Sequence, residues 1–229
     1  MSGAEPHPTA LGLFAKHWTP GQVKTRLGRH LGPERAAAVH RLFVECLLRR
    51  LAAADCWQGF LVYWPPEQQQ PMADLAARCG WQAEAQCPGD LGRKMRHFLR
   101  QRLNQSYRRV LLVGADVPDL PLAFLQEACR KLQSCEVVLG PSPDGGYYLL
   151  GLCRDVPQLF AGIPWGTPAV WQQSVECLQQ QGVSYRVLPP WQDVDHLEDL
   201  RTLLQRLRHS DSPELRRLKR ELDRLLEGR

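Results

Sequence analysis

Apolar positions in this chain fall into short dense runs, separated by longer stretches in which they recur every three or four residues. The dense runs at 11–15, 59–64, 110–113 and 137–140 are bounded by Gly, Pro or polar clusters and predict buried strands. Weaker strand signals lie at 81–86 and 185–188. Between them, Leu42, Phe43, Cys46, Leu47 and Leu51 share one helical face, which predicts a helix from Pro33 to about Ala54. Further helices are predicted over 72–79, from the end of the loop 87–92 to about Leu103, and over 121–132 and 168–181.

The run 147–152 follows Asp144-Gly145-Gly146 directly. That junction has no room for a crossover helix, so the strands on either side of it should be antiparallel. After residue 188 the pattern is helical, broken at 210–213, where Ser212 is a candidate N-cap and Pro213 a first helical residue. The alternation predicts an α/β fold: one three-layer, Rossmann-like domain, with a mostly parallel mixed sheet and helices on both faces. The expected organisation is a flexible N-terminus over 1–10, the main domain over 11–209 and a C-terminal helix over 210–229.

Composition adds limits. The chain has 229 residues, enough for a core without disulfide or metal staples. Its formal charge of +5 suits a phosphate-bearing ligand, and by itself also suits weak nucleic-acid contact. The basic and acidic residues of 211–229 nearly balance, so no nucleic-acid-binding arm is expected. Leu215, Leu218, Leu222 and Leu225 form a stripe that packs on the domain or, as the other option, joins a homodimer. The eight cysteines show no CxxC spacing and read as reduced structural thiols. No leader-like apolar segment and no membrane-length run is present, so a cytoplasmic protein without membrane contact is expected.

Ligands of open α/β sheets bind at the carboxyl ends of the strands, so the residues following each strand are the candidates. After the first strand, Gly21 lets the backbone approach closely, and Lys24 and Arg26 lie beside a helix start. That set reads as a phosphate cradle or as a solvated turn. After the run 110–113, Asp116 can hold a hard cation against phosphate, while Asp119 can serve as the N-cap of the next helix. Gly145 and Gly146 either make a tight turn or clear space for a sugar ring. Asp193 and Asp195 alternate after the last strand, and Asp195 can instead open a capping box with Glu198. Thr167 reads as an N-cap, and Trp165 as a stacking platform or a core residue.

Taken together, FAK leading into PGQVKTRL, then Gly89-Asp90-Leu91-Gly92, GADVPDL, VVLGPSPDGGYYLLGL, Trp165-Gly166-Thr167 and DVDHLEDL resemble a bacterial glycosyltransferase family named for arsenosugar biosynthesis, long carried as a domain of unknown function. The resemblance spans about residues 11 to 204. It implies the GT-A nucleotide-diphospho-sugar transferase fold, with similarity to guanylyltransferases. It implies that Lys24 and Arg26, with Gly21, Leu91 and Gly92, bind the nucleotide phosphates. It further implies Asp116, with Asp193 or Asp195, as ligands of a divalent metal, Mg or Mn. Gly145, Gly146 and Trp165 would line the donor or acceptor pocket, and Asp116, Asp144 and Asp195 are the catalytic candidates. The chain departs from the family at Val117, at Arg93-Lys94 and at His17-Trp18.

Three functions share that site. One is a glycosyltransferase using a nucleotide sugar and a small-molecule acceptor. The second is a nucleotidyltransferase taking a nucleoside triphosphate and a small phosphorylated acceptor, which the KTRL loop suits well. The third is a non-catalytic nucleotide-binding module.

Overall fold

The computed structural model describes residues 9–54 and 56–227, so residues 1–8 of the expected flexible N-terminus lie outside the described residues. Seven strands form one sheet: β1 (Thr9–Lys16), β2 (Gln58–Trp64), β3 (Gln82–Ala85), β4 (Arg109–Gly114), β5 (Val137–Pro141), β6 (Tyr147–Leu152) and β7 (Tyr185–Val187). Their order across the sheet is β3-β2-β1-β4-β6-β5-β7. Pairing is parallel except at β6, which runs antiparallel to both β4 and β5, as its short connection to β5 requires.

The described helices are α1 (Thr25–Leu31), α2 (Pro33–Ala52), α3 (Gln69–Arg78), α4 (Leu91–Asn104), α5 (Leu122–Lys131), α6 (Val170–Gln180), α7 (Leu197–Leu207) and α8 (Pro213–Glu227). Alternate strand residues face opposite ways, and the core divides accordingly. Leu11, Leu13, Leu61, Leu111 and Val113 meet Leu47 and Leu51 of α2, Met72 of α3 and Leu125 of α5. Ala10, Phe60, Val62, Val110 and Leu112 meet Met95 and Phe98 of α4 and Leu178 of α6. The result is a helix–sheet–helix sandwich.

A third apolar cluster joins Leu27 of α1, Val39 and Phe43 of α2, Leu200 and Leu203 of α7, and Leu215, Leu218 and Leu222 of α8. The leucine stripe of the last helix is therefore buried within the same chain. No helix among the described residues is long and apolar enough to cross a membrane.

Four local expectations are corrected. The helix start beside Lys24 opens a separate seven-residue helix, α1, that was not expected as an element of its own; it buries only Leu27 and so carries no apolar periodicity. Thr167 does not cap α6: its hydroxyl donates to Pro164 O at 2.8 Å, and the helix begins after Ala169. Asp119 does not cap α5, whose N-cap is Pro121. Asp195 and Glu198 form no capping box; His196 caps α7 and its box partner is Asp199.

Candidate active site at the carboxyl edge of the sheet

Strands β1 and β4 are paired neighbours, so the segments leaving their carboxyl ends emerge side by side. The loop after β4 is fastened on two sides. Arg50 of α2 donates to Pro118 O at 2.7 Å and to Leu120 O at 3.0 Å. The Asp119 carboxylate, 6% exposed, receives Arg206 of α7 through Nε at 2.6 Å and Nη2 at 3.2 Å, and Trp191 Nε1 at 3.2 Å. The charge that sequence suggested for a helix cap instead ties the Asp116 loop to the segment before α7. The Val194 N–H completes the link by donating to Asp116 O at 2.9 Å.

That fastening brings Asp116 and Asp195 onto Lys24. The Lys24 ammonium lies 2.5 Å from Asp116 Oδ1 and 3.2 Å from Asp195 Oδ1, and donates its remaining proton to Val194 O. Its side chain is 2% exposed, against 46% for Asp116. Lys24 sits in the left-handed region with φ 47°, a conformation costing a non-glycine residue about 1–2 kcal/mol. The three contacts of its ammonium hold it there.

Burial opposes charge on both Lys24 and Asp116, but their mutual attraction outweighs it. The ammonium titrates above its usual range, helped by Asp195, and the carboxyl below its own, helped by His40. Arg26, the second residue of α1, is 59% exposed and reaches Asp195 Oδ2 only at 3.5 Å. Lys24 is thus enclosed by carboxylates, while Arg26, and Lys16 at the end of β1, are cations open to a ligand.

Sequence reasoning missed two polar residues here. His40, on the inward face of α2, is 5% exposed. In the tautomer protonated on Nε2, it donates to Lys16 O at 3.0 Å, and Nδ1 stands 3.8 Å from Asp116 Oδ1 without a hydrogen-bond partner. Burial lowers its pKa, against the pull of Asp116. Its signal was a histidine among Val39, Phe43 and Val44 on an apolar helical face. Ser142, just past β5, donates to Asp193 Oδ1 at 3.0 Å.

That bond engages one oxygen of Asp193, one of the two expected companions of Asp116 at a metal. Among the described residues no group of three or more His, Cys, Asp or Glu side chains is arranged to hold a metal ion. Burial, then the negative charge of Asp144, raises the Asp193 carboxyl above its usual range, while the Ser142 bond acts the other way. Asp144 is exposed and accepts the Gly146 N–H at 3.0 Å.

The remaining candidates split into two groups. Gly21 occupies an exposed turn with φ 76°, and the N–H groups of Leu91 and Gly92 open α4, where Asp90 caps by accepting Arg93 N–H at 2.8 Å. A Cβ on Gly92 would lie 2.0 Å from Trp165 Nε1, so this glycine lets the indole lie on the start of α4. The Trp165 ring also meets Phe160 and Tyr147 at centroid distances of 6.2 and 6.1 Å. Gly145 has φ +88°, and a Cβ there would come within 2.3 Å of Pro168 O. The space it leaves is filled by the approach to α6. At Gly146 a Cβ would meet only the Asp144 carboxylate, at 3.3 Å.

Comparison with known proteins places this geometry in context. A family model described as "Uncharacterized protein conserved in bacteria (DUF2064)" matches residues 47–167. A crystal structure from Desulfovibrio desulfuricans G20, provisionally named a nucleotide-diphospho-sugar transferase, is 34% identical. It superposes with a TM-score of 0.85, over 96% of this chain and 97% of that one. A CMP:2-keto-3-deoxy-manno-octonic acid synthetase complexed with CTP superposes at a TM-score of 0.53 and 10% identity, over 86% of this chain and 98% of that one. Rv0371c from Mycobacterium tuberculosis H37Rv, in complex with manganese, does so at 0.51 and 20%, over 86% and 97%. These last two show likeness of fold. No curated protein sequence matches the chain.

Proposed function

This chain belongs to the DUF2064 family of uncharacterized bacterial proteins, and from that premise we propose that it transfers the sugar of a nucleotide-diphospho-sugar to a small-molecule acceptor. The observation that carries the reading is the Lys24 ammonium held between Asp116 and Asp195 where β1 and β4 end. A buried cation balanced by two carboxylates, with the exposed Arg26 beside it, is a charge arrangement that can exchange partners when phosphate arrives. The 34% identity to the Desulfovibrio protein supports the reaction class.

In this reading Arg26 takes the phosphate oxygens, together with the backbone around Gly21 and at the start of α1. Leu91 and Gly92 contribute backbone N–H groups from the start of α4. Asp116 and Asp195 fit a divalent cation, because they already converge on one positive charge, and Mg or Mn sites commonly use one or two carboxylates and complete their shell with phosphate oxygens. When bound, such an ion neutralises the departing nucleoside diphosphate. Lys24, given up by a carboxylate, then turns to phosphate. Asp144, exposed on the turn before β6, is assigned to the acceptor hydroxyl as its proton acceptor. Trp165 and Gly146 line the acceptor side.

Nucleotidyl transfer to a phosphorylated acceptor is the second reading. The Lys24–Arg26 turn favours it, since two cations at a helix start suit a triphosphate, and the fold is shared with a synthetase complexed with CTP. The two readings differ in product. Incubation with UDP-, GDP- and dTDP-sugars, and with GTP and CTP, each with Mn²⁺ and with water standing in slowly for the acceptor, should release a nucleoside diphosphate and free sugar from one of the sugars. Pyrophosphate from a triphosphate would replace the first reading with the second. Release from no nucleotide would remove both.

A further inference from the structure

Helix α4 carries Arg93, Arg96, His97 and Arg100 at spacings that put all four on one face. They line a cleft of about 450 Å³ closed on its other side by Phe160. Little negative charge answers them. Asp90, at one end, is committed to capping α4, and Asp155 reaches Arg96 at 3.4 Å. Arg93 and Arg100 are exposed and have no acidic partner among the described residues.

A second arginine-lined groove, between α2 and α8, is more nearly neutralised, with Arg217 alone of its four arginines lacking an acidic partner among the described residues. There Arg41 and Arg49 share Glu45 at 2.8 and 3.3 Å, and Arg224 has Glu221 at 3.3 Å. In the α4 cleft two guanidinium groups, those of Arg93 and Arg100, are uncompensated and lie one above the other on the same helical face. The stem of Arg93 is also accommodated: a Cβ on Gly89 would come within 2.6 Å of Arg93 Cδ.

The cleft adjoins the candidate site. Phe160 stacks on Trp165, and Trp165 lies on Gly92 at the start of α4. We propose that this cleft binds the phosphate or diphosphate of a small molecule, through Arg93, Arg96 and Arg100. Guanidinium groups grip such oxyanions bidentately. Its use for the acceptor of the transfer rests on the transferase reading, whereas anion binding does not.

Titration calorimetry with inorganic pyrophosphate, free of nucleotide, tests the cleft directly. The expected result is saturable binding, weakened about tenfold or more by Arg93→Gln with Arg100→Gln, as for loss of charge-assisted contacts, and retained in Lys24→Ala. Both arginines are exposed, so the double variant should keep its thermal transition. Absence of saturable binding, indifference to the double variant, or loss in Lys24→Ala would each overturn the cleft assignment. Nucleotide binding measured in parallel reports on the transferase reading separately.

Discussion

Lys24 Nζ and Asp116 Oδ1 stand 2.5 Å apart, although one residue follows the first strand and the other follows the fourth. The contact brings the cationic turn and the acidic loop into one cluster of charges.

Removing Lys24 leaves two carboxylates facing each other and the Val194 carbonyl without its donor. Loss of one partner of a fully buried pair costs about 3–5 kcal/mol. Asp116 and Asp195 are 46% and 36% exposed, and that exposure reduces the figure to about 1–2 kcal/mol. Lys24→Ala should lower the thermal midpoint by about 2–8 °C. An unchanged or raised midpoint in calorimetry would show that the ammonium contributes nothing to the free protein.

Asp119 predicts the opposite balance of stability and binding from Asp116. Arg206→Ala strands a carboxylate that is 6% exposed and should cost about 3 kcal/mol or more. Asp116→Asn should cost less, about 1–2 kcal/mol, because its carboxylate is 46% exposed, and disable the site. Equal midpoints for the two variants would contradict the division into anchor and ligand.

The two glycines of the 144–146 turn should also part company. Gly145→Ala combines a positive φ with a clash against the Pro168 backbone, which should cost about 2 kcal/mol or more. Gly146→Ala meets only a movable side chain and should fold normally. Comparable urea midpoints for both would show that the turn can relax away from α6.

Acid should act through Asp116. Its carboxyl titrates below the ordinary 3.8 because Lys24 and His40 outweigh the effect of burial. The unfolded chain therefore takes up that proton first as pH falls, and the stability the charged form contributes is present above about pH 5 and lost progressively as pH falls through 3.8 towards the lower folded value. Urea unfolding from pH 6 to pH 3 should show a steeper loss for the wild type than for Asp116→Asn. Parallel curves would remove Asp116 from the acid response.

Much of the fold was legible, because dense apolar runs and helical spacing are local signals. The antiparallel β6 followed from the short Asp144-Gly145-Gly146 junction alone. The caps were not legible. Asp119, Thr167 and Asp195 each precede a helix and have capping chemistry, but tertiary partners claim Asp119 and Asp195, and Thr167 bonds back to Pro164. The site was legible as a list of strand-end residues. That Lys24 is buried under carboxylates while Arg26 stays open depends on the cross-link from Asp119 to Arg206, which joins distant segments and leaves no mark on local pattern. His40 was hidden for the same reason, since its partner is a backbone carbonyl of β1.

The most direct test is calorimetric titration of nucleotide sugars and nucleoside triphosphates, with Mn²⁺, into the wild type and into Asp116→Asn. One shared pocket predicts saturable binding by the wild type and at least about tenfold weaker binding by the variant, which still unfolds in a cooperative transition. Equal affinity in the two proteins would contradict it.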